Sequence, residues 1–256
     1  MKKFGLIGTP ISGSLSPLMF KAAYPGSDMT YDLIETDNVE EALDIFRKEY
    51  DAVNVTAPFK ESAFKAAERA DSVCRRLGVT NLLMKRDGAI HASNTDYLAV
   101  ANILRLHKVR FKDANVMVIG CGGAGKSAAI ASSSLHLTTM VADRTVKKAG
   151  EFCFKHGGMA PLPFENIVQQ VVLSNIGIII YTLPVPVGWL EELPLEGKVV
   201  LEANYVTPCL EQICQEKGAI YVSGREWLLQ QAIAGFTLMT GSAPNEQVLR
   251  DCLQKT

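Results

Sequence analysis

A chain of 256 residues, 48% hydrophobic and 21% charged, has apolar material for one large domain or two of ordinary size, and a formal net charge of -1 with no basic stripe argues against nucleic acid as a partner. No run is long and apolar enough to span a membrane. VVLSNIGIII is interrupted by Asn175 and Gly177, and the apolar run in MKKFGLIGTPI is too short for a signal peptide, so a cytoplasmic protein is expected. The six cysteines, at 74, 121, 153, 209, 214 and 252, form no C-x-x-C pair and no Cys/His cluster at zinc spacing, which reads as free thiols and no metal site.

Strand and helix signals alternate along the chain. FGLIG reads as a first strand, and SPLMFKAAY as a helix with Ser16 at its N-cap and Pro17 at its first position. TYDLIETD is a strand, and NVEEALDIFRKEY puts Val39, Leu43 and Phe46 on one helical face. DAVNVTAP is a strand ended by a proline. FKESAFKAAERADSVCRRLG is expected as one helix closed by Gly78. TNLLMKRDGAIHASNTD reads as a hairpin turning at Asp87-Gly88, and DYLAVANILRLH as a helix.

From Ala114 the rhythm becomes a tighter β-α-β. NVMVIG, TTMVADR, GIIIYTLP, KVVLEANY and AIYVSG read as strands. Most are uncharged in their middles, as suits a parallel sheet buried on both faces. GKSAAIASSSLH, TVKKAGEFCFKHG, EWLLQQAIAGFTLMTG and PNEQVLRDCLQK read as helices.

The segment VMVIGCGGAGKSAAI fits two phosphate-binding patterns. Gly120, Gly122 and Gly125 spell G-x-G-x-x-G, the dinucleotide fingerprint. Gly120, Gly125, Lys126 and Ser127 spell G-x-x-x-x-G-K-S, the P-loop. Both need glycine so that phosphate can approach backbone N–H groups at a helix start. Asp143 and Arg144 follow roughly 20 residues later, where a dinucleotide fold needs a ribose contact. Asp143 could also imitate the magnesium-binding acid of a P-loop protein. These residues favour the dinucleotide and leave the P-loop and a ligand-free turn open.

GTPISGSLSPLMF, NVTAPFK and SNTD, in that order, together resemble the shikimate dehydrogenase family. That family carries G-x-P-I-x-H-S-x-S-P, N-V-T-x-P-F-K and G-x-N-T-D-G in its first domain. Its second domain carries G-A-G-G-A and then N-R-T, here Asp143-Arg144-Thr145. WLLQQA resembles the family's M-L-x-x-Q-A. The resemblance covers nearly the whole chain and makes the P-loop match accidental. It implies an α/β fold: an N-terminal α/β substrate-binding domain, residues 1–97 completed by helices in 229–256, and a Rossmann-like doubly wound dinucleotide-binding domain, 98–228. The active site would lie in the cleft between them.

The resemblance further implies reversible NADP-dependent reduction of 3-dehydroshikimate to shikimate. Lys60 and Asp96 fall on the catalytic pair. Ser14, Ser16, Thr56, Asn81 and Gln231 fall on substrate contacts, with Tyr205, in EANY, a weaker one. Gly120, Gly122, Gly123, Ala124, Asp143, Arg144, Thr145, Thr182 and Gly224 fall on cofactor positions. Asp143 stands where the family has asparagine; a carboxylate accepts from a ribose hydroxyl and repels a 2′-phosphate, which opens NAD as an alternative. Lys147 and Lys148 add positive charge nearby. Gly13 replaces the family's histidine, Tyr97 a glycine and Ile180 an asparagine, while Glu226 and Trp227 occupy G-x-G-M. The rival readings are an NAD-using quinate/shikimate dehydrogenase, a P-loop phosphotransferase and a non-catalytic ligand-binding protein on the same fold. A monomer or homodimer is expected.

Overall fold

The computed structural model describes residues 1–108 and 114–255. In chain order its elements are β1 (Lys3–Gly8), α1 (Ser16–Ala23), β2 (Thr30–Glu35), α2 (Val39–Glu49), β3 (Ala52–Val55), α3 (Lys60–Lys65), β4 (Arg69–Ala70), α4 (Ser72–Leu77), β5 (Leu82–Arg86), β6 (Ala89–Ser93) and α5 (Thr95–Lys108). Then come β7 (Asn115–Ile119), α6 (Gly123–Ser134), β8 (Thr139–Ala142), α7 (Val146–His156), β9 (Met159–Leu162), α8 (Ile167–Leu173), β10 (Ile176–Tyr181), β11 (Val199–Glu202), α9 (Glu211–Glu216), β12 (Ile220–Val222), α10 (Gly224–Thr240) and α11 (Glu246–Gln254). Two compact units result: residues 1–98 with 229–256, and residues 99–228.

The first unit holds a six-stranded mixed sheet in the order β2-β1-β3-β5-β6-β4. β1 pairs in parallel with β2 and β3, and β5 runs antiparallel to both β3 and β6. The β5–β6 hairpin turns at Asp87 and Gly88, whose φ values of 49° and 73° are those a two-residue hairpin turn of this hand requires. On one face α2 buries Ala42, Leu43 and Phe46. Asn38 caps that helix by accepting from Glu40 N–H and Glu41 N–H. Another cluster joins distant parts of the chain: the Phe20 and Phe236 rings meet edge-on at 5.1 Å, with Phe4, Tyr24 and Tyr31 around Phe20.

Two expectations are corrected here. The segment from Phe59 to Gly78 is not one helix but α3, β4 and α4. Glu68 N–H donates to Ile90 O, and Arg69 and Ala70 pair with His91 and Ala92, so the sheet edge takes residues of good helix propensity. Asp71 then caps α4 by accepting from Cys74 N–H at 2.7 Å, and Gly78 closes it at φ 71°. Ser16 is not the N-cap of α1 but its first residue, with Pro17 second. Its N–H is accepted by the Ser14 hydroxyl at 3.3 Å. Strand β9 and helices α8 and α9 are additions to the predicted elements.

The second unit is a fully parallel sheet in the order β12-β11-β10-β7-β8-β9. This is the doubly wound Rossmann arrangement, in which the order reverses beside the first strand. Met117, Ile119, Ile179, Tyr181 and Val200 are all at most 1% exposed in its core. Ile180 is equally buried. All six cysteines are free thiols, and among the described residues no helix is long and apolar enough to cross a membrane.

Candidate active site

Lys60 opens α3 directly after the Thr56–Phe59 turn, which closes with Phe59 N–H donating to Thr56 O. Its ammonium donates to Asp96 Oδ2 in an ion pair whose side chains are only 16% and 6% exposed. Asp96 lies in the first turn of α5, where Asn94 Oδ1 accepts from Tyr97 N–H at 2.9 Å. A pair so largely buried holds both partners in place, because removing either leaves the other's charge without its opposite. The geometry offers a proton donor at Nζ, backed by a carboxylate that can orient it.

The Lys60 carbonyl accepts from Thr80 N–H at 3.0 Å, which brings the next residue, Asn81, to the same region. Asn81 is 2% exposed. Its Nδ2 donates to Thr95 Oγ1 at 2.9 Å and to Gln231 Oε1 at 3.3 Å, and its Oδ1 accepts from Thr95 N–H at 2.7 Å. Asn81 and Gln231, far apart in sequence, are thus joined directly. Ser14 and Ser16 are half-buried neighbours at the head of α1, as their hydrogen bond shows. Thr56 is half-buried, and its methyl fills the space a side chain at Gly8 would need. Gly13 is exposed, with open space where a β-carbon would point.

In the second unit the glycine loop joins β7 to α6, and each glycine has a distinct physical reason. Gly120 has φ 107°, and Thr182 Oγ1 stands where its β-carbon would be. Gly125 packs against the Gly120 carbonyl too closely for any side chain. A β-carbon on Gly122 would meet no atom within 4 Å, so the backbone there faces open space. Gly123 and Ala124 begin α6, whose first N–H groups have no acceptor within the helix, and no side chain caps it. This is the three-glycine division of labour of a dinucleotide loop. The P-loop reading fares worse, since the Ser127 hydroxyl donates to Gly123 O at 2.9 Å and the side chain is fully buried.

Asp143 is bonded to the glycine loop itself. Its Oδ2 accepts from Cys121 N–H at 2.8 Å and its Oδ1 from Thr145 N–H at 2.9 Å. The carboxylate therefore ties the glycine loop to the start of α7. Arg144 and Thr145 are exposed. Lys147 is exposed and lies 3.9 Å from Glu151 on the same helix, so part of its charge is answered locally.

Tyr205 is half-buried beside Asn204, whose Oδ1 accepts from Val206 N–H and Thr207 N–H. Gly224 is fixed by crowding: a β-carbon there would lie 2.7 Å from Ala203 O. Trp227 is a core residue at 4% exposure. Glu202, unremarked in the sequence beyond its motif, is fully buried and accepts from Cys209 N–H, Leu210 N–H and the Tyr221 hydroxyl at 2.8, 3.2 and 2.9 Å. It anchors the loop that carries Tyr205. Its sequence signal is an acid closing the apolar strand β11.

These features define a two-unit α/β protein of the dinucleotide-binding class, with a largely buried lysine–aspartate pair in its first unit. A family model described as shikimate dehydrogenase substrate binding domain matches residues 6–83. Shikimate dehydrogenase (NADP(+)) of Leptospira interrogans is 31% identical to the chain, across 96% of the chain and 92% of that protein. The crystal structure of Mycobacterium tuberculosis shikimate dehydrogenase is similar with a TM-score of 0.86 at 26% identity, covering 100% of each chain. A quinate dehydrogenase from Corynebacterium glutamicum in complex with NAD shares the fold at a TM-score of 0.86 and 19% identity, over 100% of this chain and 99% of that one. The chain belongs to the shikimate dehydrogenase family.

Proposed function

We propose that this chain catalyses the reversible NADP-dependent reduction of 3-dehydroshikimate to shikimate, in the cytoplasm, as a monomer or homodimer. Residues 1–97 with 229–256 hold the substrate and residues 98–228 the cofactor. The observation that carries the reading is the largely buried Lys60–Asp96 pair, beside which the hydroxyl of Thr95, the residue before Asp96, bonds the Asn81 amide that in turn meets the Gln231 amide. Such groups suit a polyol because each can both donate and accept. Free thiols and no disulfide fit a reducing compartment.

In this reading the Ser14 and Ser16 hydroxyls take the substrate carboxylate. Gln231, with Asn81 behind it, takes ring hydroxyls, and so does Thr56. Lys60 stabilises the developing alkoxide and delivers its proton, while Asp96 holds the ammonium and bonds a ring hydroxyl. Tyr205 is a lesser contact. NADPH, when bound, supplies the hydride. The N–H groups of Gly122, Gly123 and Ala124 hold its pyrophosphate, Thr182 and Gly224 shape the nearby backbone, and Arg144 and Thr145 take the 2′-phosphate. Two backbone N–H groups donate to the Asp143 carboxylate, which partly answers its charge beside that phosphate.

The test is the nicotinamide absorbance change with purified protein and shikimate, with NADP and NAD in parallel. Fast reduction of NADP is expected. Asp143 is the one observation favouring NAD and quinate, and faster turnover of that pair would replace this reading. Binding of shikimate without turnover would place the chain among non-catalytic relatives of the fold.

A further inference from the structure

Asn54 is a polar residue inside an apolar strand. β3 reads Ala-Val-Asn-Val, and its flanking Val53 and Val55 are 0% and 2% exposed. An amide in such a place is costly unless its hydrogen bonds are made. Here they are: Nδ2 donates to the Asn81 carbonyl at 3.2 Å, and Oδ1 accepts from the Tyr31 hydroxyl at 2.8 Å. The same Asn81 carbonyl accepts from Val55 N–H at 2.9 Å. Two donors from β3 therefore fix the backbone of Asn81.

The side chain of Asn81 passes this order on. Both of its N–H groups are engaged, one by Thr95 Oγ1 and the other by Gln231 Oε1. With Oε1 held by Asn81, the Nε2 donor end of Gln231 is turned away from Asn81. Helix α10 runs beside this group at residue 235, one turn beyond Gln231. A β-carbon there would already touch Asn54 Nδ2 at 3.5 Å and Thr95 Cγ2 at 3.8 Å.

We propose that Asn54 is a positioning residue: acting through Asn81, it sets the direction in which Gln231 presents its Nε2 donor. The catalytic consequence rests on the reading of Gln231 as a substrate-hydroxyl contact. Asn54 itself touches no reacting atom, so its loss should weaken substrate capture more than the chemical step.

The experiment is Asn54→Asp in the full chain, which keeps the size and the acceptor for Tyr31 but removes the donor to Asn81. Asn54→Ala, which adds no charge, serves if the first variant fails to fold. Two readouts are taken: the side-chain amide ¹H–¹⁵N resonance of Gln231, and the separate kcat and KM values. The resonance should move. KM for shikimate should rise roughly tenfold, the effect of losing one net hydrogen bond, with kcat and KM for NADP within about twofold of wild type. An unmoved resonance overturns the proposal whether or not the protein turns shikimate over, and so does a fall in kcat at unchanged KM. A moved resonance in a chain with no shikimate turnover would sink the functional reading and leave the positioning of Gln231 standing.

Discussion

Thr182 donates its hydroxyl proton to the Ile119 carbonyl at 2.9 Å, and in doing so its oxygen fills the place of a β-carbon on Gly120. The first glycine of the loop is thus required twice over, by φ 107° and by this neighbour. Gly120→Ala should weaken NADP binding by about tenfold or more, since the misplaced turn withdraws the N–H groups that hold phosphate. Shikimate binding should be unchanged. Titration calorimetry with each ligand checks both halves, and equal affinity for NADP would show that the loop does not hold it.

The Lys60–Asp96 pair makes a second prediction. Lys60→Ala should lower kcat by ~10²-fold or more if the ammonium is the proton donor. It also leaves Asp96, 6% exposed, without its ammonium partner, so a fall in Tm should accompany the kinetic loss. Lys60→Arg keeps the charge and should recover the Tm better than the rate, because a guanidinium does not give up its proton. A near-wild-type rate in Lys60→Ala would end the assignment.

Asp143 and Arg144 are adjacent but should behave differently. Asp143→Asn keeps one acceptor and turns an NH2 group toward a backbone N–H, so the loop loosens. The KM values for NADP and NAD should rise together, by a few-fold, with their ratio little altered. Arg144→Ala should raise KM for NADP alone, by about tenfold, through loss of a charge-assisted contact to the 2′-phosphate. If Asp143→Asn instead shifts the ratio strongly toward NADP, the carboxylate reaches the ribose after all.

The buried thiols should make stability fall in alkali. Desolvation first, with the Cys121 thiol next, pushes Cys153 from the ordinary 9.0 to about 11. Burial, with Glu202 adding to it, pushes Cys209 and Cys214 to about 12. Folded-state values above the unfolded ones mean that the native protein keeps protons that the unfolded chain releases. This stability is complete below about pH 9 and is lost as pH rises toward 11 and 12. Lys198, held below its ordinary 10.5 by burial, acts in the opposite sense as a single group. Urea midpoints should fall steadily above about pH 9, and a flat profile to pH 11 would show that the thiols ionise freely in the fold.

Much of the architecture is legible in residue patterns because local and tertiary demands agree. NVMVI and IGIIIY are uncharged throughout and become central parallel strands. Asp87-Gly88 has the backbone freedom its turn requires. The segment Ala66 to Ala70 is different. It is made of good helix formers, and only pairing with His91 and Ala92 decides its shape. Ser16 before Pro17 looks like a cap, yet the hydroxyl two residues earlier takes the N–H. At the site, the motifs name Lys60 and Asp96 but carry no sign of how buried the pair is. The turn of Asp143 toward Cys121 depends on how the loop closes, which no local pattern reports. Asn54 is the intermediate case, a visible anomaly in an apolar strand whose partners are set by the tertiary fold.

The first unit draws on both the early and the late part of the chain, and this bears on the order of events at the ribosome. Residues 99–228 are contiguous and have all of their own sheet once β12 is made. The earlier residues must wait, because Phe236 belongs in the aromatic cluster of Phe4, Phe20 and Tyr31, and Gln231 is the partner of Asn81. During synthesis those rings and that amide are without their late partners. A chain truncated and released at residue 228 should therefore carry a protease-resistant later half and a still-sensitive earlier one.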